Sequence, residues 1–161
     1  MNTKQITGIA LLALVFSVAI TPIVLDEALA IVPGRTLVET PDTFFIRGDL
    51  TSPADGKPFG GDVVGDYFIR VNGNDIRINT EFDTAPSEGT VYEGWLVDVD
   101  TGYKLSLGQF NEYSNELFFS QEIVNPWIYN VLVISEEPMG DTDPSPDTPV
   151  GGVPLKAPFG Q

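Results

Sequence analysis

Carboxylates dominate the reactive side chains of this sequence. It has 161 residues with 23 Asp and Glu against 8 Lys and Arg, and neither His nor Cys. Without those two residue types no Ser-His-Asp or Cys-His nucleophile can be assembled, and there is no imidazole acid or base. Zinc fingers, blue-copper sites and disulfides are excluded for the same reason. Two carboxylates held about 5–10 Å apart across a cleft could hydrolyse a glycoside. With so many acids some pair reaches that spacing by chance, and nothing in the sequence marks one out, so no catalytic residue is assigned. Asp98, Asp100 and Gly102 begin like a calcium loop, but the twelfth position, where a bidentate Glu belongs, holds Gln109. They read as solvated residues of a turn. Asp141, Asp143 and Asp147 lie within one short stretch of the tail and are the candidate calcium ligands, although Pro144, Pro146 and Pro149 favour an extended acidic loop. No other cofactor is expected.

The aromatic residues offer a second kind of chemistry. Tyr92, Tyr113, Trp127 and Tyr129 could stack on sugars or on a partner protein, or pack in the core and its rim. Trp95 sits in the middle of an apolar strand pattern and reads as core. The net charge of −15 argues against nucleic acid, whose phosphates need a Lys/Arg-rich face. It keeps a domain soluble and fits a saline habitat.

The elements that would position these residues begin after an export signal. Residues 1–5 carry one positive charge at Lys4, residues 6–25 form an uncharged apolar run, and Ala28 and Ala30 supply an A-x-A exit. That order describes a secretory signal peptide, residues 1–30, forming a helix. The run is also long enough to span a bilayer, so an uncleaved anchor through residues 6–25 is the alternative. Pro22 and the small residues favour cleavage. Loss of Lys4, Asp26 and Glu27 would leave a mature chain with a net charge of −14. Export places the domain in a secreted or extracytoplasmic setting, stabilised by its core and not by disulfides.

Beyond the signal the pattern is all-β. Residues 31–60 are rich in Pro and Gly and predict an extended segment with one strand near 43–49, followed by a loop. Tyr67, Ile69 and Val71 alternate, the chain breaks at Asn72-Gly73-Asn74, and Ile76, Ile78, Thr80 and Phe82 resume the alternation. This predicts a β-hairpin with a type I′ turn. Further strands are predicted at 91–100, with Val91, Glu93, Trp95, Val97 and Val99 on one side, and at 103–110, 117–120 and 127–135. A short one is expected around 149–155, inside a Pro/Asp-rich tail from about residue 138. The expected fold is an antiparallel immunoglobulin-like β-sandwich of about seven to eight strands, with its core in residues 61–161.

From about residue 76 onward an ordered set of landmarks appears. Tyr92, Trp95, Leu96, Val97 and Asp98 follow a proline-containing loop. Ser106, Leu107, Gly108 and Phe110 form a second group. Val131, Val133, Ser135, Glu137, Pro138, Thr148, Pro149 and Val150 close the set. This order resembles the extracytoplasmic C-terminal domain of the anti-sigma-K factor family. The resemblance implies a β-sandwich ectodomain with a sensory or regulatory role and no catalytic residues. Members of that family carry a cytoplasmic sigma-binding domain before the membrane segment. Here five residues precede the apolar run, so no sigma-factor binding is expected.

The sequence therefore points to an exported, non-enzymatic binding or sensory module of the cell surface, with a protein or glycan partner. Membrane contact would come only through an uncleaved N-terminal segment. The alternative is a structural subunit of a surface filament or coat, self-assembling by strand addition through residues 31–46.

Overall fold

The computed structural model describes residues 40–161. The expected signal segment 1–30, with its anchor run 6–25, and residues 31–39 of the extended segment lie outside the described residues. Eight strands follow: β1 (Thr43–Ala54), β2 (Lys57–Asn72), β3 (Asp75–Phe82), β4 (Thr90–Asp98), β5 (Tyr103–Gln109), β6 (Glu116–Glu122), β7 (Val131–Pro138) and β8 (Thr148–Pro154). A single 3-10 turn at Pro126–Ile128 is capped by the Asn125 side chain, which accepts from the Trp127 N–H at 3.0 Å. That capped Pro-Trp turn occupies the start of the strand predicted at 127–135, so β7 begins only at Val131.

All pairings are antiparallel, and the strands form one hydrogen-bonded sheet in the order β5-β4-β7-β8-β1-β2-β3-β6. The sheet coils on itself until it is nearly barrel-shaped. At the closing side the chain leaving β5 meets the start of β6, where the Asn111 N–H donates to the Glu116 carbonyl at 2.8 Å. The alternation read from the sequence sets the inner face of β2 and β3. Tyr67, Ile69, Val71, Ile76, Ile78, Thr80 and Phe82 are all buried, while the residues between them face solvent apart from Asp75, which is partly buried. Leu50, Leu96, Leu132 and Ile134 complete the interior. Phe44, Trp127 and Phe159 form one aromatic cluster, with ring centroids 5.2–6.0 Å apart, and Tyr92 links Phe82 and Phe110 in another.

Two turns differ from the sequence reading. At the β2–β3 hairpin Asn72 pairs with Asp75, so the loop is Gly73-Asn74, and only Gly73 has positive φ (59°). Glycine at the first central position is the type II′ signature, not type I′. The loop expected before residue 60 is instead a hairpin: β1 runs on to Ala54, and Asp55-Gly56 (φ 51° and 74°) turns it directly into β2. An Asp-Gly pair suits positive φ at both positions. Pro53 and Pro58 beside it made the stretch look like coil. Irregular pairing at Leu50/Thr51, Thr51/Pro53 and Pro53/Ala54 bends this distal half away from the inner sheet.

In β4 Trp95 is buried and shares a side with Val97, as the sequence indicated, but that side is not the one facing the main core. Tyr92 and Leu96 face the main core, and Trp95 faces the opposite side, in a separate cluster with Val131 and Val133. This strand is buried on both faces, so alternation alone could not identify the inner one.

The core holds one unsatisfied polar atom among the described residues, the hydroxyl of buried Thr80. A buried hydroxyl without a partner costs about 1–3 kcal/mol. Thr80→Val, which keeps the shape, is expected to raise unfolding free energy by about 1 kcal/mol in urea titration. A loss of stability would show that the hydroxyl has a partner.

Candidate binding groove

The outer face of β4 and β7 is where the sheet departs from a simple solvent-facing surface. Trp95, Val97, Val131 and Val133 project there, and Phe59 from the bent β1–β2 hairpin packs against them. The hairpin is held by Thr51, which pairs with Gly152 of β8. The Thr51 hydroxyl accepts from the Gly60 N–H at 2.8 Å. Gly152 is squeezed between backbone atoms: a Cβ there would come within 2.8 Å of the Leu132 carbonyl oxygen and 3.0 Å of that of Pro58.

Beside this cluster a polar chain is buried. The Trp95 indole N–H donates to Ser135 Oγ at 2.8 Å, and the Ser135 hydroxyl donates to the Glu137 carboxylate. The Asp147 backbone N–H donates to the same carboxylate at 2.9 Å, tying the tail loop down. Ser135 and Glu137 are both buried. A hydroxyl beside a carboxylate could suggest a nucleophile, but no substrate atom can reach one sealed under a strand and a loop. The chain holds structure, giving each of its buried polar groups a hydrogen-bond partner.

Between the hairpin tip and the β4–β7 face lies an open groove of about 780 Å³. Its floor is aliphatic, from Val97, Val131 and Val133, and its walls come from prolines 53, 58, 146 and 149 with Phe59. Lys57 and Lys104 line it as well, along with Asp55. Concave, apolar lining with a few charged groups is the usual make-up of a binding site. Val99 enters the groove on the β4–β5 turn, and Asp98 fixes that turn. Its carboxylate accepts from the Asp100 N–H at 3.1 Å and from the Thr101 hydroxyl at 2.6 Å, and its carbonyl accepts from the Gly102 N–H at 2.8 Å. Asp98 is thus a buried organiser of the turn and not the solvated residue expected, whereas Asp100 is exposed.

The calcium candidates do not converge. The Asp141 carboxylate accepts from the backbone N–H groups of Thr142 (2.6 Å) and Asp143 (3.1 Å), and Asp147 is engaged through its backbone at Glu137. Among the described residues no group of three or more acidic side chains is placed to hold a metal ion. Of the stacking candidates, Tyr92, Trp127 and Tyr129 are buried, and Tyr113 alone is exposed. The groove residues escaped the sequence reading because they come from strands far apart in the chain. The scarcity of lysine was the one available signal, since Lys57 and Lys104 are two of only four.

Comparison with known proteins finds no family model, no curated protein and no solved structure that matches the chain.

Tyr129, next to the organising turn, gives a pH test. Burial foremost, then the neighbouring Tyr103 and Asp98, pushes its phenol up to about 12 from the ordinary 10.0. A raised pKa favours the neutral phenol in the folded state, so this contribution to stability is complete below pH 10 and is lost as pH climbs towards 12. Urea titrations across that window are expected to show a steeper loss for the native protein than for Tyr129→Phe. Equal slopes would place the phenol in water.

Proposed function

We propose that this protein is an exported, non-enzymatic binding module of the cell surface, and that it captures an extended apolar segment of a partner protein flanked by acidic residues. The observation that carries this reading is the groove itself, aliphatic and proline-lined along its length with Lys57 and Lys104 at its sides. An aliphatic floor and proline walls with a single aromatic ring, Phe59, favour peptide side chains over sugars, which stack on aromatic faces. In a chain of net charge −15, two lysines at one groove supply local attraction for an anionic flank and leave a cationic one disfavoured. The absence of His and Cys, and the buried, hydrogen-bonded state of Asp98 and Glu137, support a role in binding without catalysis. Export rests on the signal pattern of residues 1–30.

The kinship with the anti-sigma-K ectodomain belongs to the same proposal, as does an immunoglobulin-like sandwich as the parent fold. The latter is supported by the single residue pair, Thr51 with Gly152, that joins the strands β5-β4-β7-β8 to β1-β2-β3-β6.

The test is a charge swap. A capped seven-residue peptide of Val, Ile and Leu ending in two glutamates is titrated against the protein by calorimetry, beside the same peptide ending in two lysines. The native protein is expected to prefer the acidic peptide by about tenfold, each tenfold being about 1.4 kcal/mol. Lys57→Glu/Lys104→Glu is expected to reverse that preference, which also shows that the variant is folded. Equal binding of both peptides, or a preference the double variant leaves unmoved, would overturn the reading.

A further inference from the structure

A second surface, formed by strands that contribute no residue to the groove floor, carries an ordered arrangement of charge on β1, β2, β3 and β6. On the solvent face of β1, β2, β3 and β6 the strand register aligns side chains in rows. One row is Phe45, Arg70, Arg77 and Ser120. The next is Arg47, Phe68, Asn79 and Phe118. The third is Asp49, Asp66, Glu81 and Glu116. Every one of these residues is exposed, the three phenylalanines by 69% (Phe45), 37% (Phe68) and 68% (Phe118).

Each of the outer rows is unfavourable in an isolated domain. Arg70 stands directly opposite Arg77, and four carboxylates stand side by side across four strands. Like charges facing each other across strands destabilise a sheet. Arg77 does reach Asp75 at 3.5 Å, but both side chains are about half open to solvent, and such a pair is weak enough to be exchanged. Exposed phenylalanines between the two rows add a further cost in water.

Both costs are relieved by one partner. We propose that this face docks on the same face of a second copy of the chain, about a two-fold axis running along the row of Arg47, Phe68, Asn79 and Phe118. Rotation about that line carries the arginine row onto the acidic row. Arg70 then lies over the partner's Asp66, and Arg77 over the partner's Glu81. Phe68 and Phe118 meet their own counterparts on the axis. Arg47, at the end of that row, meets the partner's Arg47 across the axis, with its own Asp49 and the partner's Asp49 flanking the pair on either side. An isologous contact of this kind closes after two copies. An anionic polymer such as a nucleic acid would meet the arginines but would be repelled by the acidic row four residues along each strand and by the net charge of −15.

With rows about 7 Å apart and strands about 4.8 Å apart, the patch covers roughly 400 Å² per copy, which places the dimer among weak, transient associations. The pairs on its rim make it sensitive to salt.

The experiment is sedimentation equilibrium of the full chain at concentrations up to about the millimolar range appropriate to weak contacts. Association is expected at low salt and is expected to weaken at least tenfold in half-molar salt. Two charge-reversed variants decide the matter: Arg70→Glu/Arg77→Glu makes both outer rows acidic, and Asp66→Lys/Glu81→Lys puts lysines at the centre of the acidic row, opposite the arginines' place. Each alone is expected to be monomeric, and an equimolar mixture is expected to form a heterodimer at least as tight as the native dimer. Restoration in the mixture also shows that both variants are folded. A monomeric native chain, variants that associate as the native chain does, or a mixture that stays monomeric would each overturn the proposal. Association through any other part of the chain would be left unmoved by all four substitutions, and so falls under the second of these results.

Discussion

The bend of β1 at Leu50 and Thr51 is the constraint on which the rest of the structure depends. Up to Leu50 the strand lines the inner core. Past it, irregular pairing carries the chain, with β2, over the outside of β4 and β7. One hairpin thus serves two layers. Its proximal half supplies two of the four strands, β1-β2-β3-β6, that carry the arginine and acidic rows, and its distal half covers Trp95, Val131 and Val133. Were the hairpin straight, those three side chains would form an exposed apolar patch of the kind a soluble domain avoids. Bent over, it buries those three and leaves Val97 partly and Val99 largely exposed beside them, where the groove lies.

The same bend accounts for the buried polar atoms. Trp95 is held on the outer face by its bond to Ser135, and Ser135 in turn bonds Glu137, whose side chain also accepts from the Asp147 backbone N–H. Every member of that chain has a partner, which is the condition under which buried polar groups order a structure instead of weakening it. Asp98 plays a matching part at the other end of β4, where it closes the turn that brings Val99 to the groove. Two of the acids in this highly acidic chain are therefore internal anchors, while Asp49, Asp66, Glu81 and Glu116 are surface charge arranged by register.

Where one face of a strand meets water, the sequence was readable. The alternation from Tyr67 to Phe82 gave the hairpin and its buried side correctly, missing only the turn type, because the pattern does not say whether Gly73 sits first or second in the loop. Where both faces are covered, alternation does not say which is inner: Trp95 is buried and shares a side with Val97 as expected, but that side is the outer one. The β1–β2 hairpin was hidden by prolines that its bulged, bent end tolerates. The groove depends on residues 53–59 meeting residues 97–104, 131–133 and 146–149, a juxtaposition that no local motif announces. The rows of charge needed the register across four strands, and register is a property of the folded sheet and not of any one segment.

The most direct measurement of this account is a set of nuclear Overhauser contacts in the isotope-labelled protein, observed from the Phe59 ring. Contacts to the methyl groups of Val131 and Val133 and to the Trp95 indole are expected, because the hairpin tip lies on that face. Their absence, with the Phe59 ring seeing only its own hairpin, would mean that the tip stands away from the sheet, and neither the groove nor the layering built on it would exist.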